Sequence, residues 1–159
     1  MPTHTDNTTV TASAVMAVAP APPAEAARHF AALLAYETDC WDVHDALAHG
    51  PADFVVLDVR SDEAFAAGHV EGAVSLPHRL IDEATLARFG ADTRYVVYCA
   101  GPHCNGADRA ALRLAGLGRP VKKMIGGVTG WLDEGFSLVA GAGPSEQGHE
   151  PEQEQEMQP

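Results

Sequence analysis

Cysteine is scarce in this sequence: Cys40, Cys99 and Cys104 are the only three in 159 residues. Three thiols cannot make a paired disulfide framework, and so sparse an odd number favours a reducing compartment. Basic residues are also few, 10 against 22 acids, for a formal charge of −12. That balance leaves no electrostatic footprint for DNA or RNA. No apolar run approaches the roughly 20 residues of a membrane span. The stretch TVTASAVMAVAPAPPA is fairly apolar, but His4 and Asp6 precede it and no Lys or Arg appears before Arg28. It therefore lacks the basic start of a secretory signal. Pro20, Pro22 and Pro23 interrupt any helix there. These absences predict a cytoplasmic protein with neither nucleic-acid nor membrane partners.

The acidity is uneven. Glu146, Glu150, Glu152, Glu154 and Glu156 crowd the end of the chain, and without them 17 acids face 10 bases, a balance of −7. Composition thus divides the chain into a flexible leader at 1–23, a single domain at 24–140 and a disordered acidic tail at 141–159. The 46% hydrophobic share supports one buried core.

Within the domain, strand-like and helix-like patterns alternate. Glu25–Tyr36 sets Phe30, Leu33 and Leu34 at helical spacing, a helical N-terminal extension over 24–37. Asp42 is a cap candidate for a helix over Val43–His49, closed by Gly50-Pro51. DFVVLDV, Asp53–Val59, reads as a strand buried on both faces. Ser61 opens a short acid-led helix that stops near Gly68. Ala73–Leu76 reads as a short strand and Asp82–Phe89 as a helix. Tyr95–Cys99 is a second buried strand, followed by a helix over Asn105–Leu117. Val121–Ile125 and Val128–Glu134 complete the order as strand and helix. In the long helix Ala107, Ala110, Ala111, Leu114 and Ala115 share one face, with Arg109 and Arg113 four apart on another. Such an order, with right-handed crossovers, builds a parallel sheet with helices on both faces. Ligands in such folds meet the loops beyond the carboxyl ends of the strands.

Cys99 stands at such an end, in YVVYCAGPHCNGADRAA. A thiol reacts as its thiolate, and its ordinary pKa is about 8.5. The start of the following helix and backbone N–H groups curled inward by the loop would both stabilise negative sulfur. Gly101 permits such a curl, Pro102 stiffens it, and Asn105 is a cap candidate for the helix. The loop Ala100, Gly101, Pro102, His103, Cys104, Asn105 would then wrap around the sulfur. A buried core cysteine is the plain alternative. A structural zinc needs four ligands. Cys99, His103 and Cys104 offer three, and Cys40 is a fourth by composition only. No metal is expected.

These residues resemble a family. FVVLDVRSDEAFAAGHVEGAVSLP at 54–77, VVYC at 96–99 and MIGGVTGWLDEGF at 124–136 are similar, in order, to the three hallmark segments of the rhodanese (sulfurtransferase) domain. The likeness covers about residues 38–140. It implies a three-layer α/β fold, a central parallel sheet of about five strands with helices on both faces. It also implies a catalytic Cys99 that takes sulfane sulfur from a small-molecule or protein-bound donor, holds it as a persulfide and yields it to a thiol acceptor. No cofactor is implied. Family loops often read Cys-x-x-Gly-x-Arg-Ser. Here Cys104 stands in the place of the Arg, Asn105 at the Ser, and the Gly falls one place early at Gly101. His103 is then the loop's only potentially cationic side chain, so a persulfide or polysulfide donor is expected over thiosulfate.

Cys104 has three open readings: a resolving thiol that closes a disulfide with Cys99, a wall of the loop, or the nucleophile itself. Asp58 and Arg60 read as a local ion pair or hydrogen bond supporting the neighbouring loops, in preference to direct catalysis. His69 reads as a hydrogen-bonding link, Trp131 as packing, and Lys122 and Lys123 as solvated strand-edge charges; His78 and Arg79 lie in a loop that could border the pocket, although a plain surface loop is the stronger reading. Two other functions compete. One is a non-catalytic binding or redox-sensing module built on Cys99 and Cys104. The other is a phosphatase or arsenate reductase of the cell-cycle phosphatase type, which needs an Arg after Cys and five residues. That position is Asn105.

Overall fold

The computed structural model describes residues 13–142. The expectations for residues 1–12 and for most of the acidic tail lie outside the described residues. Two units divide the chain, Met1–Leu34 and Ala35–Pro159. A short 3-10 turn, Ala14–Met16, precedes helix α1, Pro23–Tyr36, none of whose residues is buried. Among the described residues no helix is long and apolar enough to cross a membrane.

The second unit is a three-layer α/β domain. Its strands are β1 (Glu37–Thr38), β2 (Val55–Asp58), β3 (Val74–Ser75), β4 (Tyr95–Tyr98) and β5 (Val121–Met124). All pair in parallel, in the order β1-β5-β4-β2-β3. Helices α2 (Cys40–Ala48), α3 (Asp62–Ala67), α4 (Glu83–Leu86), α5 (Gly106–Gly116) and α6 (Gly127–Asp133) make the crossovers, with a 3-10 turn at His78–Leu80.

The two-residue period of the central strands sorts their side chains between two cores. Leu57, Val59, Tyr95, Val97 and Cys99 face one way, against Leu86 of α4 and Ala107, Ala110 and Leu114 of α5. Val56, Val96 and Tyr98 face the other way, against Val43 of α2, Phe65 of α3 and Trp131 of α6. Burial on both sides explains why these strands read as unbroken apolar runs.

Several expected boundaries shift. Asp39, not Asp42, caps α2, its carboxylate accepting the Asp42 N–H at 2.8 Å, so the helix begins three residues earlier than expected. Helix α4 is only one turn, held by a reciprocal box in which Asp82 and Thr85 bond each other's backbone. Strand β1 has no counterpart among the expected elements. It places β5 inside the sheet, so Lys123 is not an edge charge: its Nζ reaches Asp108 at 2.9 Å and Glu37 at 3.1 Å.

The chain beyond α6 is tied back onto the domain. Trp131 Nε1 donates to the Ser137 carbonyl at 2.9 Å, His69 and Val139 exchange backbone bonds at 2.9 Å, and Gly141 N–H reaches the Ala66 carbonyl at 2.9 Å. His69 is buried, with its ring stacked on Phe65 at 3.6 Å and Nδ1 on the Phe65 carbonyl at 2.8 Å. It links segments, as its place in the sequence suggests.

Candidate active site

β2 and β4 lie side by side in register, Asp58 opposite Tyr98. The chain after β2 runs to β3 on one side, then crosses to β4 on the other. The carboxyl ends of β2 and β4 therefore flank a switch point, where open α/β sheets form their crevices. Arg60 follows the first strand and Cys99 the second.

Asp58 is fully buried, 0% exposed. A carboxylate so placed requires donors on its oxygens. Arg60 supplies Nε at 2.9 Å and Nη2 at 2.6 Å, its own backbone N–H adds a bond at 3.1 Å, and Tyr98 donates its hydroxyl at 2.7 Å. The network continues outward. Arg60 Nη2 also donates to the Gly68 carbonyl at 2.7 Å, and the Tyr98 oxygen accepts the Val70 N–H at 3.1 Å. Burial, reinforced by the Asp58 carboxylate, pushes the Tyr98 phenol far above its ordinary range. Burial opposes the Arg60 charge, but hydrogen bonds and attraction from Asp58 outweigh it and raise its pKa. The pair thus clamps β2, β4 and the turn at Gly68–Val70 below the cysteine loop. Sequence reasoning missed Tyr98, because its place opposite Asp58 appears only once β2 and β4 pair.

Cys99 follows β4 on the α5 side and is 6% exposed. It is joined to Cys104 as a disulfide, with the Cα atoms 6.3 Å apart, inside the span that a bridge allows. The loop between them is tightened by the Cys104 N–H on the Gly101 carbonyl at 3.0 Å. The Gly106 N–H, at the start of α5, donates to Cys104 Sγ at 3.4 Å. This corrects the expectation that several amides converge on the Cys99 sulfur. In the closed loop the sulfur is neutral, one of those amides is spent on the turn, and another serves its partner. Asn105 holds the cap position of α5 but makes no side-chain cap bond. Its Oδ1 accepts from Arg109 Nε at 3.1 Å instead.

Glycines let other backbone pack against the sulfur loop. A Cβ at Gly106 would stand 2.8 Å from Cys99 Sγ. The helix α6 docks end-on: Val128 N–H donates to the Cys99 carbonyl and Thr129 N–H to the Ala100 carbonyl, both at 3.0 Å. That approach depends on Gly127, which has φ +58° and whose Cβ would fall 2.9 Å from Gly101 N. Gly127→Ala is accordingly expected to destabilise the domain by about 2–4 kcal/mol, combining left-handed strain with a clash against backbone that cannot yield. A urea unfolding midpoint equal to that of the parent would contradict the docking.

The cysteine pair is reachable. A cavity of about 440 Å³ reaches Cys99, Ala100, Cys104 and Asn105, and its far wall holds Arg60, His78 and Arg79. A second opening of about 220 Å³ meets Cys99 and Cys104 beside Gly101 and Pro102. His78 and Arg79 therefore border the site, the alternative that the sequence placed behind a plain surface loop. Nor is His103 the site's only candidate cation, since Arg60 and Arg79 arrive from other segments. Cys40 belongs to the opposite core, its thiol on the Ile125 carbonyl at 3.5 Å, and burial followed by Asp39 and Glu134 pushes it up to about 11. Among the described residues no cluster of His, Cys, Asp or Glu could hold a metal ion.

Disulfide, buried Asp–Arg–Tyr support and glycine-docked helix together make a thiol–disulfide site at the mouth of a parallel sheet. A family model described as the rhodanese-like domain matches residues 42–134. The thiosulfate sulfurtransferase GlpE of Pseudomonas entomophila is 39% identical over 74 residues, 46% of this chain and 64% of that protein. The HTH-type transcriptional regulator Rv0324 of Mycobacterium tuberculosis is 34% identical over 91 residues, 57% of this chain and 39% of that protein. The chain thus spans under two thirds of the length of both curated relatives. The crystal structure of the BH2092 protein from Bacillus halodurans superposes with a TM-score of 0.73 at 38% identity, covering 77% of this chain and 89% of that one. With its model matched over more than half of the sequence, the chain belongs to the rhodanese-like domain family.

Proposed function

We propose that the protein is a sulfurtransferase working through a Cys99 persulfide, with Cys104 as the thiol that closes on it. The observation that carries this reading is the bond between the two cysteines beside a cavity open to a small donor. The cycle starts from the reduced pair, which a dithiol reductant generates by exchange, leaving with its own disulfide. The Cys99 thiolate attacks the outer sulfur of a donor persulfide or polysulfide. The S–S bond of the donor breaks, its thiolate leaves, and Cys99 carries the extra sulfur. An acceptor thiolate then takes that outer sulfur and restores the Cys99 thiolate. When no acceptor arrives, the Cys104 thiolate attacks Cys99 Sγ, expels hydrosulfide and closes the disulfide. Atoms and electrons balance in each step, and neither metal nor organic cofactor takes part. A reducing cytoplasm would keep the pair open between turnovers.

The test is mass spectrometry of the pre-reduced protein after a polysulfide pulse. One added sulfur on the Cys99 peptide, lost again on adding a thiol, is the expected result. The same disulfide observation favours a second reading, a redox-sensing module. Under that reading peroxide closes the pair while polysulfide and thiosulfate add no sulfur to Cys99.

A further inference from the structure

We infer that Arg79, Arg109 and Arg113, with His78, form an anion subsite at the mouth of the sulfur cavity, one that takes the carboxylates of a low-molecular-weight thiol or its persulfide. The inference builds on the sulfurtransferase reading and names its small-molecule partner by charge.

Basic residues are few in this chain, 10 in all, yet three arginines meet here. Arg79 comes from the 3-10 turn after β3, while Arg109 and Arg113 stand on the exposed face of α5, which packs against that turn. Together with His78 and Leu112 they line a cleft of about 400 Å³. His78 and Arg79 line this cleft and also the cavity that reaches Cys99 and Cys104. An anion held in the cleft would share a wall with the sulfur site.

The charges are uncompensated. Arg60, Arg94 and Lys123 each hold a carboxylate. Among the described residues Arg79, Arg109 and Arg113 form no ion pair with Asp or Glu. Arg109 and Arg113, one helical turn apart, repel each other. Arg109 is also steered, its Nε on Asn105 of the cysteine loop. His78 senses the field: burial, then Arg79, Arg109 and Arg113, hold its imidazole below the ordinary range of 6.5. Several guanidiniums across a cleft of this size suit a molecule with more than one carboxylate and an apolar portion against Leu112. The site therefore discriminates among thiols by charge.

The binding test uses S-methylglutathione, which cannot exchange with the disulfide, followed by NMR on the full chain. The expected result is saturable shifts of the His78 ring and the Leu112 methyls at roughly millimolar ligand, weakened about tenfold in the Arg109→Gln/Arg113→Gln double variant. Arg88→Gln, which removes an exposed charge elsewhere, should leave the affinity unchanged. No shifts, or equal loss in both variants, would overturn the subsite. A kinetic arm compares glutathione with uncharged 2-mercaptoethanol as acceptors. The preference for glutathione should fall about tenfold in the double variant, because only the anion meets the arginines. An unchanged ratio also overturns the proposal. Failure of every thiol to take sulfur would sink the transferase reading alone, since the binding arm does not depend on turnover.

Discussion

Cys99→Ser is expected to lower sulfur transfer by about 10³-fold or more, because the bond-forming atom is removed. Cys104→Ser separates the roles of the two thiols. With Cys99 as the nucleophile, that variant still gains one sulfur from polysulfide, and it keeps the sulfur longer because nothing in the loop attacks it. Hydrosulfide release without an acceptor, read by a sulfide electrode, should therefore vanish in Cys104→Ser while transfer to an added thiol persists. The opposite pattern, a sulfur adduct that survives Cys99→Ser and disappears with Cys104→Ser, would hand the chemistry to Cys104. The structure supplies the reason for the expected order. Cys99 is anchored by α6 through its carbonyl and is buried in the core, whereas Cys104 closes a turn and is only partly buried against the same core.

Asp58→Ala is expected to be the most destabilising substitution near the site, by about 3–5 kcal/mol, since it strands the Arg60 guanidinium and the Tyr98 hydroxyl where water cannot reach them freely. Tyr98→Phe removes one donor from Asp58 and leaves the Val70 N–H without its acceptor, for a loss of about 2 kcal/mol. Urea unfolding of the three proteins gives the comparison. A loss below about 1 kcal/mol for Asp58→Ala would mean that the buried pair is not the brace described above. Loss of this brace should also loosen the sulfur loop, because Tyr98 is the residue just before Cys99 and its hydroxyl fixes the end of the strand.

Much of this was legible in the residues themselves. The apolar runs ending in Asp58 and Cys99 announced central parallel strands, because burial on two faces leaves no polar alternation to obscure them. The sequence left Cys104 open between a resolving thiol, a loop wall and the nucleophile, because only geometry decides whether two thiols can bridge; the structure joins it to Cys99. What stayed hidden depends on distance in the chain. Strand β1 is two residues long and has no periodicity to detect, and without it Lys123 looked like an edge charge. The amide cradle expected around Cys99 failed because a disulfide, unlike a thiolate, makes no demand on N–H donors. Arg79 lies 30 residues or more from Arg109 and Arg113, and only the packing of α5 on the turn after β3 brings them to one cleft. A linear reading counted His103 as the loop's cation because it considered the loop alone.

One practical consequence follows from the ties made by Ser137, Val139 and Gly141. The matched family segment stops at residue 134, and a fragment cut there would look complete by similarity. It would nonetheless expose Trp131 on one side and leave the Gly68–Val70 turn without its antiparallel neighbour on the other. Because Arg60 holds that same turn, damage at the carboxyl border would be felt at the sulfur, and a working minimal domain has to be trimmed beyond residue 141.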